Sequence, residues 1–391
     1  MQLSDGKIAA DASDADVATL LPGVPLIESP FFDDLIERIG LTDSEIEIAR
    51  QLREKGYATF DFPEPDFDAV AERIKSNLGK KFDLERWRES GGKTGMRMQD
   101  AWTHDRDVFR LATNASVLTL LSRLYGRRAW PFQTLNFPVG TQQHFHSDSL
   151  HFSSIPERFM CGVWIALEDV DEEAGPLIYY PGSHRWPIYT NEHIGQRAPD
   201  SNVADQNVYE PLWRALASRS GVDQIRFLPR KGQALIWAAN LLHGGAKHRN
   251  LDKTRWSQVT HYYFDDCSYY VPMLSDACIG RVAFQSLTDL STGKAVANQY
   301  IGEAVPEKFV KQVAPQALPP PPEFHGALYL SANPDVARAG ADPWLHYLIH
   351  GKQEGRPLRP SIKSWRDPIA DIRTAWRRTS LSTWVSERLR K

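Results

Sequence analysis

Two histidines and one aspartate have the types and the spacing of a metal site. His146 and Asp148 are separated by one residue, so on a strand their side chains would share a face. His243 follows the largely apolar run 234–242, which is typical of a buried strand. Two imidazoles and one carboxylate on one face of an iron ion leave three positions open, as in the non-haem Fe(II) oxygenases. The spacing therefore predicts a facial metal triad, although His-x-Asp taken alone is more often a solvated or core histidine.

An arginine and a serine follow the second histidine at strand spacing. Arg255 and Ser257 would share one face of the next strand. A buried guanidinium is costly unless a carboxylate pairs with it. The distal carboxylate of 2-oxoglutarate is the expected partner, bound bidentately. A structural ion pair is the alternative for Arg255, and taken alone the residue is equally compatible with both. Gln133, on an earlier strand, is predicted to contact the C1 end of 2-oxoglutarate or the substrate; a polar residue that satisfies a strand neighbour is the alternative.

Four further residues are candidates for contacts with a substrate. Trp164 lies in an apolar run, and a core aromatic is the favoured interpretation because of the area that tryptophan buries. His144 and His151 flank the His-x-Asp motif and lack a carboxylate two residues later, so they are predicted to support the ligands or to face the substrate. Arg97 is a candidate contact for an anionic group, with a surface arginine as the favoured alternative.

The elements that would position these residues change in character along the chain. Thr42 to Glu45 form a capping box that opens a helix to about Lys55, and helices are also expected at 66–78 and 114–125. From about residue 130 to 284, β-rich runs are separated by Gly- and Pro-rich turns. These runs are 132–137, 160–167, 177–180, 224–228, 234–238 and 256–264. The pattern predicts a mainly β protein with flanking helices and a barrel or jelly-roll core.

The run 162–185, GVWIALEDVDEEAGPLIYYPGSHR, resembles the central signature of the phytanoyl-CoA dioxygenase family. His146, Asp148, His243 and Arg255 stand where that family has its catalytic iron ligands and its cosubstrate arginine, and the resemblance covers about residues 46–285. It implies a double-stranded β-helix (cupin-like jelly roll) that uses Fe(II), 2-oxoglutarate and O2. It also implies hydroxylation of an unactivated C–H bond with release of succinate and CO2. It does not imply phytanoyl-CoA as the substrate.

One position departs from the family pattern. Members often carry a small hydroxyl residue two positions after the distal histidine, and this chain has Gly245 there. Ser257 is the alternative source of that hydroxyl. Because Asp148 is retained, a variant that accepts a halide in place of the carboxylate is disfavoured.

The C-terminal part departs in composition from the rest. We predict an N-terminal arm at 1–45, a dioxygenase-like domain at 46–312, a Pro-rich linker at 313–322, a small helical module at 323–360 and a basic amphipathic tail at 361–391. The module resembles one found in bacterial glycosyltransferases and polysaccharide-related proteins. The tail places Trp365 and Trp376 at helical spacing among arginines, which fits a membrane surface, a partner, or packing on its own barrel.

Composition limits the remaining classes of function. The formal net charge of −3 gives no reason to expect nucleic acid as a partner. The 3 cysteines form no CxxC pair, and we find neither a signal peptide nor an apolar run long enough to span a membrane. The expected location is cytoplasmic, or peripheral at the inner membrane surface with a membrane or glycan-biosynthesis partner. The expected substrate is a small or medium organic molecule: a lipid, a sugar-linked molecule or a glycan precursor. The alternatives are a non-oxidative cupin-like metal-binding or scaffold protein and another metal-dependent barrel enzyme such as an isomerase.

Overall fold

The computed structural model describes residues 16–93, 95–199, 205–311, 324–338, 343–347, 351 and 354–360. These residues fall into two compact units. One holds the described residues up to 311, and the other holds those from 324 onward. The predicted linker at 313–322, the predicted tail at 361–391 and the first fifteen residues of the predicted arm lie outside the described residues.

Most helices of the first unit precede its long strands. They are α1 (Val17–Leu20), α2 (Phe32–Ile36), α3 (Asp43–Lys55), α4 (Phe67–Gly79), α5 (Leu84–Glu89), α6 (Arg106–Ala112), α7 (Ala115–Tyr125), α8 (Glu210–Arg219) and α9 (Glu307–Lys311). Three of them, α3, α4 and α7, occupy the segments where the sequence predicts helices. The short helices α5 and α6 were not predicted.

Helix α3 begins and ends at residues that the sequence marks. The Thr42 hydroxyl accepts a hydrogen bond from the Glu45 backbone N–H, and the Thr42 N–H donates to the Glu45 carboxylate at 2.8 Å. This capping box satisfies backbone donors that the first turn leaves without partners. Gly56 ends the helix with φ at +81°, a left-handed conformation that glycine adopts without a steric penalty. The chain then enters the first strand directly.

The strands of the first unit follow as β1 (Tyr57–Asp61), β2 (Met98–Gln99), β3 (Ala129–Phe137), β4 (Ser153–Ile155), β5 (Met160–Ala166), β6 (Leu177–Tyr179), β7 (Ile225–Phe227), β8 (Gln233–Ala238), β9 (His243–Gly245), β10 (Ser257–Phe264), β11 (Ser268–Tyr270), β12 (Leu287–Asp289), β13 (Lys294–Val296), β14 (Gln299–Tyr300) and β15 (Glu303–Ala304). Each predicted β-rich run overlaps one of these strands. The short strands β2, β4, β9 and β11 to β15 were not predicted.

Two antiparallel sheets build the centre of the unit. The larger sheet has the order β1-β8-β5-β10-β3-β2, and the smaller sheet has the order β7-β6-β9. Apart from β3 and β2, strands that are adjacent in the larger sheet are not consecutive along the chain, as in a jelly roll. In the register of this sheet Gly162 lies opposite Trp237 on one side and His261 on the other, so these three residues form one row.

The larger sheet is covered on both faces. Between the two sheets lies a core that includes Trp164, Tyr179, Phe227, Leu235 and Val259. On the other face the sheet contacts α4 and α7 through a second core that includes Ile74, Leu121, Val163, Ile236 and Tyr262. Residues that alternate along one strand therefore face either the small sheet or the helices. This confirms the predicted fold class: a double-stranded β-helix with flanking helices.

The described part of the second unit is helical. Its helices are α10 (Gly326–Ala332), α11 (Pro334–Arg338) and α12 (Pro343–His346). They enclose a small core of Phe324, Tyr329 and Val336, and the Tyr329 hydroxyl lies 2.9 Å from Nδ1 of His346. Across the described stretches of the chain, none of the helices is both long and apolar enough to cross a bilayer.

Candidate metal centre

A backbone bridge brings the two predicted histidine ligands together. The His146 N–H donates to the His243 carbonyl at 2.8 Å, and the His243 N–H donates to the His146 carbonyl at 3.0 Å. The two ring centroids are 4.6 Å apart as a result. Asp148 differs from the expectation of a continuous strand, because it begins a 3-10 turn over Asp148–Leu150. The turn nevertheless brings its carboxylate beside both imidazoles.

The three side chains form a compact donor set. One ligand atom from each of His146, Asp148 and His243 lies within 4.8 Å of the other two. Nδ1 of His146 is 3.0 Å from the His144 carbonyl and Nδ1 of His243 is 2.9 Å from the Leu241 carbonyl. A carbonyl only accepts, so each Nδ1 carries the proton and each Nε2 keeps a lone pair for a metal. These Nε2 atoms lie 3.4 Å and 3.7 Å from the Asp148 carboxylate.

The electrostatics of the set favour a divalent cation. Burial opposes the charge of Asp148, but the imidazoles of His243, His146 and His261 outweigh it and hold the pKa of this carboxyl well below its usual range. Burial also lowers the pKa of His243, and the charge of Asp148 opposes this shift only in part. One carboxylate beside the His243 imidazole, which favours the neutral form, suits a metal ion, because ligands must be deprotonated to bind one. The donor types fit iron, since imidazole and carboxylate are the ligands of facial-triad Fe(II) sites.

Two buried side chains beside the triad were missed at the sequence level. The Trp237 indole Nε1 donates to Oδ2 of Asp148 at 2.9 Å. His261 directs Nε2 to within 3.8 Å of the same oxygen, and its Nδ1 is 3.0 Å from Oε1 of Gln133. Burial lowers the pKa of His261 to about 4, so it is neutral at pH 7. The position of His261 could have been inferred from the sequence, because residues 255, 257, 259 and 261 alternate along the chain and would share one face of a strand.

Arg255 is buried without an acidic partner among the described residues. It is 1% exposed, its Nη1 donates to the Ser257 hydroxyl at 2.9 Å, and its Nη2 reaches the Val139 carbonyl at 3.4 Å. Its Nε has no hydrogen-bond acceptor in the described part of the chain. Burial lowers the pKa of Arg255 to about 10, with Glu168 opposing the shift, so the guanidinium remains charged at pH 7. A buried cation with an unused donor fits an anionic ligand.

Trp164 and Gly245 clarify the surroundings of this arginine. The Trp164 side chain is 2% exposed, and the Arg255 guanidinium carbon lies 5.5 Å from its ring centroid. The predicted substrate residue therefore contacts the arginine. A Cβ at Gly245 would lie 2.7 Å from the Thr141 hydroxyl oxygen. A hydroxyl near position 245 is thus present on Thr141, whereas the Ser257 hydroxyl accepts a hydrogen bond from Arg255.

The two histidines that flank the motif contact a single segment, 206–219, which we call the roof segment. His151 Nε2 is 2.8 Å from Oε1 of Gln206, and His144 Nε2 accepts a hydrogen bond from Nε of Arg214 at 2.9 Å. Burial lowers the pKa of His151, and the charges of His146 and Arg97 add to this shift. Arg97 is exposed, yet it is near enough to His151 to have this effect.

The roof segment is anchored by buried side chains. Tyr209 and Trp213 are 0% and 2% exposed, and the Trp213 ring centroid lies 6.4 Å from that of His146. The Tyr209 hydroxyl donates to Asn191 at 2.7 Å, and the Asn191 amide in turn reaches the carbonyls of Met273 and Ser275. These contacts fix the segment over one side of the triad.

Comparison with known proteins identifies the family. Residues 52–256, more than half of the chain, match the family model described as Phytanoyl-CoA dioxygenase (PhyH). The chain belongs to the phytanoyl-CoA dioxygenase family.

Curated relatives match over part of their length. The chain is 30% identical over 122 residues to the phytanoyl-CoA dioxygenase domain-containing protein 1 homolog of Caenorhabditis briggsae, covering 30% of this chain and 38% of that protein. It is 21% identical over 184 residues to the peroxisomal phytanoyl-CoA dioxygenase of Bos taurus, covering 45% of this chain and 52% of that protein. The matches thus span 38% and 52% of the lengths of these two relatives. A solved structure described as the non-heme alpha ketoglutarate dependent carbocyclase SnoK from nogalamycin biosynthesis overlaps with a TM-score of 0.45 and 16% identity, covering 66% of this chain and 95% of that one.

Proposed function

We propose that this protein is an Fe(II)- and 2-oxoglutarate-dependent dioxygenase that hydroxylates an unactivated C–H bond. The observation that carries the proposal is Arg255, a buried cation with an unused donor, two residues before the strand that carries a histidine beside the triad. A site that only bound a metal would have no use for it. When bound, Fe(II) supplies the activation of O2 that couples conversion of 2-oxoglutarate to succinate and CO2 with oxidation of the substrate.

The residues of the chain perform the binding and the orientation. His146 and His243 bind the metal through Nε2, because a backbone carbonyl holds the proton on each Nδ1. Asp148 supplies the negative charge. Arg255 and Ser257 bind the C5 carboxylate of 2-oxoglutarate, since their hydrogen bond orients the guanidinium before the ligand arrives. Gln133 is assigned to the C1 end, with His261 holding its amide in place.

The remaining predicted residues are assigned to the substrate side. His151 and His144 hold the roof segment over the site through Gln206 and Arg214. Arg97, which acts electrostatically on His151, is assigned to an anionic group of the substrate, and Trp164 packs against the Arg255 guanidinium. The proposed substrate is a small or medium organic molecule of the lipid, sugar-linked or glycan-precursor type.

The test is an anaerobic titration of the full-length protein with Fe(II) and 2-oxoglutarate. Binding is monitored through the weak visible charge-transfer band of the chelate. Arg255→Ala should raise the Kd of 2-oxoglutarate about 100-fold, on the order of 2–3 kcal/mol, and leave the metal Kd unchanged. Arg226→Ala is the matched control, because Arg226 lies on the smaller sheet and pairs with Glu172 at the surface. Absence of the band in the wild type, or an unchanged Kd in Arg255→Ala, would favour the non-oxidative metal-binding or scaffold alternative.

Substrate class and cellular place need a separate experiment. We propose a cytoplasmic enzyme, with the C-terminal module and basic tail as the contact to a glycan-biosynthesis or membrane partner. The support is the sequence resemblance of the module and the charge of the tail. Succinate release across a panel of lipids and sugar-linked compounds, with product mass raised by one oxygen, would identify the substrate class. A panel in which no compound raises succinate release would contradict it.

A further inference from the structure

The carboxylate ligand of the triad is bound on one side by a tryptophan. The Trp237 indole N–H donates to Oδ2 of Asp148 at 2.9 Å, and both residues are 4% exposed. An indole N–H is a donor only, so the polarity of this bond cannot reverse. Oδ1, the other oxygen, lies 3.4 Å from Nε2 of His146, whereas Oδ2 also lies 3.7 Å from Nε2 of His243. The two oxygens of Asp148 therefore have different partners.

A glycine makes this contact possible. Gly162, which pairs with Trp237 across the sheet, lies beneath the indole ring. A Cβ at position 162 would meet Cζ2 of Trp237 at 2.1 Å, well inside any real contact distance. Any side chain at Gly162 must therefore displace the indole. The backbone of β5 and the side chain of β8 together determine where the N–H points.

We propose that Trp237, accommodated by Gly162, is a positioning residue that holds Asp148 as a one-oxygen metal ligand. This role rests on the proposed function. A carboxylate that binds a metal through both oxygens takes two positions, whereas one that binds through Oδ1 alone takes one. Because the indole N–H draws electron density from Oδ2, it makes Oδ2 the weaker donor of the pair and favours binding through Oδ1 alone, which would leave the other positions for 2-oxoglutarate and O2. Hydrogen-bond partners of metal ligands act in this way on orientation and affinity.

The effect belongs to the indole N–H rather than to the ring, and a substitution can separate the two. Trp237→Phe keeps an aromatic ring and removes only the donor and part of the surface. We expect it to raise the Kd of Co(II), measured anaerobically with the full-length protein, about 10–100-fold. At saturating Co(II), the d–d absorption spectrum should also change, because Asp148 becomes free to bind through both oxygens. A purely structural role would leave that spectrum unaltered.

Two further variants control for packing. Trp130→Phe removes the indole of another buried tryptophan, which contacts Tyr263 and Tyr269, and should leave the Co(II) Kd and spectrum unchanged. Gly162→Ala should reproduce the Trp237→Phe effect by displacing the indole. In the double variant Gly162→Ala/Trp237→Phe, the phenyl ring is smaller than the indole and leaves room for the added methyl group. The Co(II) Kd of the double variant should therefore stay close to that of Trp237→Phe alone. Urea midpoints of all variants report whether each one folds.

The outcomes separate this inference from the function on which it rests. A wild-type Kd and spectrum for Co(II) in folded Trp237→Phe overturn the positioning role and leave the proposed function standing. A Co(II) Kd that rises equally in Trp130→Phe overturns it too, because packing alone would then explain the loss. A wild-type protein that binds no Co(II) overturns the proposed function and this inference with it.

Discussion

Each imidazole beside Asp148 has its Nδ1 held by a different partner. Backbone carbonyls hold the Nδ1 protons of His146 and His243, whereas the side-chain oxygen of Gln133 faces Nδ1 of His261. In all three rings Nε2 is the nitrogen that faces the Asp148 carboxylate. His261 lies outside the compact donor set, and its Nε2 lies 3.8 Å from Oδ2 of Asp148.

The contact between Gln133 and His261 predicts coupled effects on cosubstrate binding. Gln133→Ala and His261→Ala should each raise the Kd of 2-oxoglutarate about 5–50-fold, on the order of 1–2 kcal/mol for one lost hydrogen-bonding group. Because the two side chains act as one unit, the Kd of 2-oxoglutarate in the double variant should not exceed the higher of the two single-variant Kd values. Titration of the Mn(II)-loaded variants with 2-oxoglutarate measures this. If the loss of binding free energy in the double variant equals the sum of the losses in the two single variants, the two side chains act separately.

Elements defined by local patterns could be predicted from the sequence, and elements defined by long-range contacts could not. Thr42, Glu45 and Gly56 mark α3 by capping chemistry, and apolar runs mark β5, β8 and β10. The turn that begins at Asp148 depends on the bridge between His146 and His243, which are distant in sequence. Strand β9 and the hydrogen bond from Trp237 to Asp148 could not be predicted for the same reason. No local periodicity encodes which strand lies opposite another.

The junction between α3 and β1 predicts a destabilising substitution. Gly56 has φ at +81°, and a Cβ there would lie 2.5 Å from Nδ1 of His184. Gly56→Ala should therefore lower the free energy of unfolding by roughly 3 kcal/mol or more, from left-handed strain plus overpacking. The matched control is Gly126→Ala at the end of α7, where φ is +75° and the nearest neighbour of a Cβ, in Leu26, is 4.0 Å away.

Urea midpoints of the two glycine variants separate the two causes. Gly126→Ala should cost only the left-handed strain, about 1–2 kcal/mol. The excess loss in Gly56→Ala measures the contact with His184, whose Nε2 is already tied to the Arg53 carbonyl at 3.1 Å. Equal losses in the two variants would show that the imidazole moves aside without cost.

At the scale of the whole molecule, the candidate site belongs to one unit. The triad, Arg255, Ser257, Gln133, Trp164 and the roof segment all lie in the first unit. The second unit has a core of its own around Phe324, Tyr329 and Val336, and Asn333 within it donates to the backbone of Tyr329 and Pro357. Metal and cosubstrate binding should therefore depend on the first unit alone.

A chain that ends at Pro315 tests this division. We expect it to unfold cooperatively in urea and to bind Mn(II) and 2-oxoglutarate with Kd values within about twofold of the full-length protein, because a compact unit with its own core can fold alone and every residue of the candidate site lies in the first unit. Arg255→Ala in the shortened chain is the control, and it should raise the 2-oxoglutarate Kd by the same factor as in the full-length protein. Weaker binding by a shortened chain that still unfolds cooperatively would show that residues beyond 315 contribute to the site. Loss of cooperative unfolding would show instead that the first unit needs them in order to fold.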